Sequence, residues 1–232
     1  MDSLVAFFDI LGTKDLVKRG EFSDFHSLDF ANPVGLMALQ YPQIRFAAFS
    51  DSVVASCKAE DTKDFLSALN LLYTNWFSDF IFVRGGLAFG EIRWVDQLNI
   101  DKHFRNARNF ACARLYGSAL VEAYELQEKS GPGMVCFVSE AASRVLQDAI
   151  PNAVLVGPTN VLVWPTAKEI AYFYKVFELL LRDASYPAEF RRHARATKAY
   201  LIRMEEGGLA LPMEFSIIEN ARARSQGKQS RS

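Results

Sequence analysis

QIRFAAFS at residues 43–50 runs directly into DSVVASCK at residues 51–58, two apolar, β-compatible runs meeting at a short polar step. The pattern predicts a hairpin with Ser50 and Asp51 at or near its bend. Upstream, Ser3 to Phe8 is an unbroken apolar run, the mark of a buried strand, and it ends at Asp9. Residues 13–40 mix polar and apolar side chains around Pro33, which predicts helix broken by a loop. Downstream, Asp61 or Thr62 is placed to cap a helix whose apolar stripe is Phe65, Leu69, Leu72, Trp76 and Phe80. IFVRGGLAFGEI at residues 81–92 returns to strand character, with Gly85, Gly86 and Gly90 marking a bulge or a close backbone approach. The resulting order β, α, β, β, α, β is the split βαβ of the ferredoxin-like α+β class.

Additional elements follow. Residues 93–116 are irregular and polar, and Gly117 precedes a helix with Ser118 as its cap. MVCFV at 134–138 reads as a strand, 139–147 as a short helix, and Val154–Val156 with Val161–Trp164 as a hairpin around Gly157-Pro158-Thr159-Asn160. Thr166 and Glu169 form a capping box, and Pro187 opens a last helix that stops at Gly207-Gly208. Neither an internal repeat nor a linker divides the chain, so residues 1–220 are expected to form one domain with a helical C-terminal extension. Residues 221–232, rich in Ser, Gln and Arg, are expected to be a disordered basic tail.

Composition removes several function classes. Lys+Arg 26 against Asp+Glu 27 leaves the chain nearly neutral, and the tail holds Arg222, Arg224, Lys228 and Arg231 without an acid, so the body is mildly acidic. That balance argues against nucleic acid and anionic membranes as partners. The βαββαβ order also occurs in RNA-recognition domains, but their aromatic strand motif is missing. Cys57, Cys112 and Cys136 are odd in number and far apart, which argues against disulfides and a zinc ribbon and for a reducing, cytoplasmic setting. The acidic N-terminal run MDSLVAFFDI is too short for a signal sequence or a membrane span.

Chemistry concentrates on two acids. Asp9 ends the first strand and Asp51 sits at the hairpin bend, and a split βαβ sheet places that strand beside that hairpin. Two adjacent carboxylates repel unless a cation neutralises them, and a pair of Mg²⁺ or Mn²⁺ ions suits oxygen ligands of this kind. The segment Ile10-Leu11-Gly12-Thr13 then enters a helix, where backbone N–H groups offer a site for a triphosphate.

FFDILGTKDLV, FAAFSDSVV, VRGGLAFGEI and YGSALVEAYELQEK, in that order, resemble the landmark segments of the class III nucleotidyl cyclase domain, and more closely those of the pyrimidine cyclases of the bacterial Pycsar anti-phage system. The resemblance spans roughly residues 4–130. It implies a two-metal lyase that turns a nucleoside triphosphate into its 3′,5′-cyclic monophosphate and pyrophosphate, with Asp9 and Asp51 as the metal pair and the Ile10 backbone carbonyl completing a shell. It further implies a homodimer with active sites between subunits and a cyclic nucleotide product read by a separate effector.

Departures from the adenylyl cyclase pattern point to the base. Where those enzymes carry an Asp three residues before Gly117, this chain has Arg114; where they carry a Lys four residues before Asp51, it has Ala47. The usual transition-state Asn and Arg are replaced by Val121 and Glu125, so a substitute cation is sought among Arg105, Arg108 and Arg114. Donor-only Arg114 matches the two carbonyls of uracil, which places UTP ahead of CTP, while Phe46, Phe49 and Ser50 are further candidates for contacting the base or the transition state, the phenylalanines by filling the space of a purine's second ring. The alternatives are a catalytically silent nucleotide-binding sensor and a purine nucleotide cyclase.

Overall fold

The structure is a computed structural model that describes residues 2–95, 114–149, 155–156, 161–162, 167–184 and 186–206. The elements run β1 (Asp2–Ile10), α1 (Thr13–Lys18), α2 (Asp24–Gln40), β2 (Arg45–Phe49), β3 (Ser52–Lys58), α3 (Thr62–Ser78), β4 (Val83–Glu91), β5 (Arg93–Trp94) and β6 (Leu115–Tyr116). They continue with α4 (Ser118–Lys129), β7 (Cys136–Val138), α5 (Glu140–Ala149), β8 (Leu155–Val156), β9 (Val161–Leu162), α6 (Ala167–Arg182) and α7 (Ala188–Glu206). Seven strands form one sheet in the order β2-β3-β1-β4-β7-β9-β8, and β5 pairs with β6 alone. The α+β expectation, a βαββαβ core with further strands and helices after it, is borne out.

β1 lies between two antiparallel neighbours, β3 and β4. It is buried on both faces, which is why its sequence is continuously apolar rather than alternating. Leu4, Ala6, Phe8 and Ile10 face the main core under α2 and α3, whereas Val5 and Phe7 face Ala119 and Ala123 of α4. In α3, Trp76 is fully buried, stacks on Phe30 at 5.0 Å and donates from Nε1 to the Phe30 carbonyl at 2.9 Å, so its one polar atom is satisfied.

Several local expectations are corrected. The break in 13–40 falls at residues 19–23, after α1, while Pro33 sits inside α2. Phe80 leaves the α3 stripe: the helix ends at Ser78, and Phe80 has φ 58° with its ring 63% exposed. Asp61 occupies the α3 cap position without a side-chain cap bond, and Gly117 rather than Ser118 caps α4. The glycines of β4 mark close approach and no bulge, since β4 pairs with β1 residue for residue from Glu91 to Val83. A Cβ on Gly86 would lie 1.9 Å from the Ala123 carbonyl oxygen, so glycine is what lets α4 lie against the sheet. The hairpin of Leu155–Val156 with Val161–Leu162 is present. Thr166, Gly207, Gly208 and the tail 221–232 lie outside the described residues.

Gly86→Ala is therefore expected to cost about 1–3 kcal/mol or more through overpacking, a fall in Tm of several degrees. Gly90→Ala is the control, because its added Cβ meets the Ser118 hydroxyl at 3.5 Å and the Ala119 methyl at 3.6 Å, ordinary contact distances. Thermal unfolding of the two variants should differ clearly; equal Tm values would contradict this packing.

Candidate active site

Sheet register sets the site. Phe49 pairs with Ser52, Ser52 with Asp9, and Asp9 with Arg84, so four side chains stand in one row across β2, β3, β1 and β4. Directly opposed residues share a face, here the face on which α4 packs. Asp51 occupies the two-residue turn Ser50-Asp51, in which Ser50 has φ 56°, the left-handed conformation that suits a tight hairpin. The Asp51 carbonyl accepts the Ile10 N–H at 3.0 Å, which fastens the end of β1 to the bend. The Ser52 hydroxyl donates to Asp9 Oδ1 at 3.0 Å.

The electrostatics centre on Asp9. Burial, with the Asp51 carboxylate adding to it, pushes the Asp9 carboxyl up to about 6, against the Ser52 hydrogen bond and the Arg84 charge, which pull it down. Arg84 is half-buried; desolvation lowers its pKa, and Asp9, Glu128 and Glu189 raise it. Its guanidinium donates to the Gly131 carbonyl at 3.3 Å, while its buried Nε has no partner among the described residues. No third His, Cys, Asp or Glu joins the two carboxylates among the described residues. Two carboxylates with the remaining positions open fit Mg²⁺ or Mn²⁺, which keep several oxygens from water and phosphate.

The other sequence candidates divide. The Ile10 carbonyl accepts the Thr13 hydroxyl at 3.2 Å, and a carbonyl oxygen has a second lone pair for a cation. The Ile10 and Leu11 amides are spent on the Asp51 and Phe82 carbonyls, at 3.0 and 2.8 Å, so only Gly12 and Thr13 retain the role expected of the whole segment. Gly12, with φ 87°, makes the turn into α1. Phe49 stands in the Asp9 row and is 41% exposed, whereas Phe46 faces the other way and packs on the main core. Ala47 shares the Phe49 face, one pair further along β2. Arg114 is exposed beside β6, its carbonyl accepting the Val95 N–H at 3.0 Å. Arg105 and Arg108 lie outside the described residues. On α4, Val121 is 59% exposed and Glu125 is bonded to Lys129 at 2.9 Å.

Arg84 and Ser52 are the site residues that the sequence reading missed. One signal existed for Arg84, as the only charged residue in the otherwise apolar and glycine-rich run from Ile81 to Gly90.

No protein-family profile and no curated protein matches this chain. Solved structures do. One is a bacterial light-regulated adenylyl cyclase, at TM-score 0.52 and 12% identity, covering 70% of this chain and 89% of that one. Another is the guanylyl cyclase Cya2, at TM-score 0.52 and 10% identity, covering 68% of this chain and 82% of that one. A second light-regulated adenylyl cyclase chain matches at TM-score 0.49 and 13% identity, and this chain spans 45% of its length. The fold is thus one found in nucleotidyl cyclases.

The raised Asp9 carboxyl has a consequence for stability. Because its folded pKa of about 6 lies above the unfolded 3.8, the folded state holds the proton more tightly, and stability falls as pH rises from about 4 to above 6. With allowance for solvent screening the penalty at neutral pH is on the order of 1–2 kcal/mol. Asp9→Asn should therefore raise Tm at pH 8 by about 2–6 °C and flatten the pH dependence between pH 4 and 7. Melting curves in metal-free buffer check this; a lower Tm for the variant at pH 8 would contradict it.

Proposed function

We propose that this protein is a nucleotide cyclase that converts a pyrimidine nucleoside triphosphate, UTP ahead of CTP, to its 3′,5′-cyclic monophosphate and pyrophosphate. The observation that carries this reading is the convergence of Asp9 and Asp51 with Arg84 in the cross-strand position. Two divalent ions, when bound, would lower the pKa of the ribose 3′-hydroxyl and neutralise the triphosphate. The chain's own part is positional. Asp9 and Asp51 supply the anionic ligands, and Ser52 orients the Asp9 carboxylate. Gly12 and Thr13 offer amide donors to phosphate oxygens at the start of α1. Arg84 brings a fixed cation beside Asp9, where negative charge builds as the 3′-oxygen displaces pyrophosphate from the α-phosphorus. This role replaces the one first sought among Arg105, Arg108 and Arg114.

Base choice rests on less of the fold. Phe49, exposed at the end of the Asp9 row, has the position to limit the space open to a purine, and Arg114 offers donors that match uracil carbonyls. An adenine amino group left without a partner loses about 1–3 kcal/mol. A homodimer with sites between subunits is supported by exposed Tyr116, Val121 and Tyr124 beside the row, apolar surface suited to a second copy. No described helix is long and apolar enough to cross a membrane. The reading includes a cytosolic enzyme whose cyclic product signals to a separate effector in anti-phage defence. A silent nucleotide-binding sensor is the second reading, favoured by Val121 and Glu125 where a catalytic Asn and Arg are usual.

Incubation of the purified protein with each of the four ribonucleoside triphosphates and Mn²⁺, followed by chromatography of the products, tests the proposal. Cyclic UMP should dominate. Asp9→Ala and Asp51→Ala should each retain less than about a tenth of the rate, since metal stabilisation is worth several kcal/mol. Arg84→Ala should lose about 10²–10³-fold, with partial recovery in Arg84→Lys. Faster cyclisation of ATP or GTP would overturn the base assignment, and binding without turnover would favour the sensor.

A further inference from the structure

A cavity of about 240 Å³ lies behind the row of site residues, between the β1–α1 turn, the residues leading into β4, and the start of α7. It lies on the Ile10 side of β1, opposite the Asp9 face, and shares Gly12 with the proposed triphosphate site. Its walls are aromatic: Tyr186 and Phe190 stack at 4.7 Å, Phe82 meets Phe190 edge-on at 5.3 Å, and exposed Phe80 stands at its edge with φ 58°. One buried polar side chain is built into the wall. His193 is 6% exposed; its Nδ1 lies 3.0 Å from the Gly133 amide and 3.4 Å from the Gly133 carbonyl, and acceptance of the closer amide leaves the ring proton on Nε2. The acceptor nearest Nε2 is Glu189, at 3.5 Å, too far for a good hydrogen bond. Burial lowers the imidazole's pKa, so a neutral N–H donor is presented. Four further polar or charged groups line its rim: Arg19, which pairs with Glu21 at 2.8 Å, Glu189, which pairs with Arg192 at 3.1 Å, exposed Asp15, and His26, whose Nδ1 meets the Ser23 hydroxyl at 3.0 Å.

We propose that this cavity is an effector site for a small, uncharged, planar aromatic molecule with a hydrogen-bond acceptor in its ring plane, and that its occupancy sets the spacing of Asp9 and Asp51. The volume sits just below the usual 300–1,000 Å³ range of ligand pockets, which suits a one- or two-ring compound. Flat walls select a flat ligand, rim charges of both signs favour neither a cation nor an anion, and His193 selects an acceptor. The coupling is short. Ile10, Leu11 and Phe82 line the cavity, and the Ile10 and Leu11 amides make the bonds to the Asp51 and Phe82 carbonyls that hold the end of β1 in place. A molecule pressing on these side chains acts on the peptide next to Asp9. The regulatory half of the proposal rests on the cyclase reading; the binding half does not.

The test is titration of the full chain with quinoline, neutral above pH 6, followed by backbone amide NMR and, in parallel, by the cyclisation rate. Saturable shifts at the amides of Ile10, Leu11 and Asp51 are expected. They should persist in Asp51→Ala, and affinity should fall at least about tenfold in Leu16→Trp, which fills the cavity, or in Phe80→Trp, at an exposed position that tolerates the change. A severalfold change in the wild-type rate should follow the same saturation curve. Absence of saturation, binding unaffected by both tryptophans, or binding that leaves those three amides unmoved would overturn the site. If the protein cyclises no nucleotide, the cyclase reading fails while the amide shifts still decide the cavity; if it turns over at a rate indifferent to bound quinoline, the regulatory half fails alone.

Discussion

The hydrogen bond from the Ile10 N–H to the Asp51 carbonyl, 3.0 Å long, is the point on which the site depends. It closes the end of the central strand against a hairpin bend, and so brings together two carboxylates that are distant in sequence. Everything around it serves to hold that strand still. β1 is paired on both edges and buried on both faces, with Trp76 and Phe30 stacked beneath Phe8 on one side and α4 packed over Phe7 on the other. A strand fixed in this way leaves its terminal Asp little freedom to move away from a like charge.

That rigidity has an energetic cost, and the cost is informative. Asp9 stays half-buried, and burial above all, with the Asp51 charge adding to it, raises its carboxyl to about 6. Arg84 offsets part of that cost: its charge lowers the Asp9 pKa, while its guanidinium also donates to the Gly131 carbonyl. A carboxyl raised by burial beside a second acid is an arrangement that a bound cation would relieve. The same packing that stabilises the sheet therefore creates the electrostatic demand that a divalent ion would meet.

How far the sequence could reveal this differs from element to element. The strands were legible because β1 is apolar throughout and the hairpin announces itself by two runs meeting at Ser50-Asp51, and the juxtaposition of Asp9 and Asp51 follows from topology alone. Arg84 was not, because its role depends on register: a shift of one residue in the β1–β4 pairing would turn it to the opposite face. Register also separated Phe49 from Phe46, which periodicity alone left equivalent. The spent amides of Ile10 and Leu11 were invisible for a related reason, since backbone partners come from Asp51 and Phe82, residues far along the chain. Phe80 fitted the α3 stripe by spacing, but the helix stops before it, and its exposed ring borders the cavity instead.

The central claim is that Asp9 and Asp51 jointly hold divalent ions for a triphosphate. Anomalous diffraction from crystals grown with Mn²⁺ and a non-cleavable α,β-methylene analogue of UTP tests it most directly. The account expects two manganese peaks about 4 Å apart, both in contact with the Asp9 and Asp51 carboxylates, with the analogue's phosphates reaching Gly12, Thr13 and Arg84. Manganese bound away from the two acids, or an analogue bound with no metal between it and them, would contradict the account.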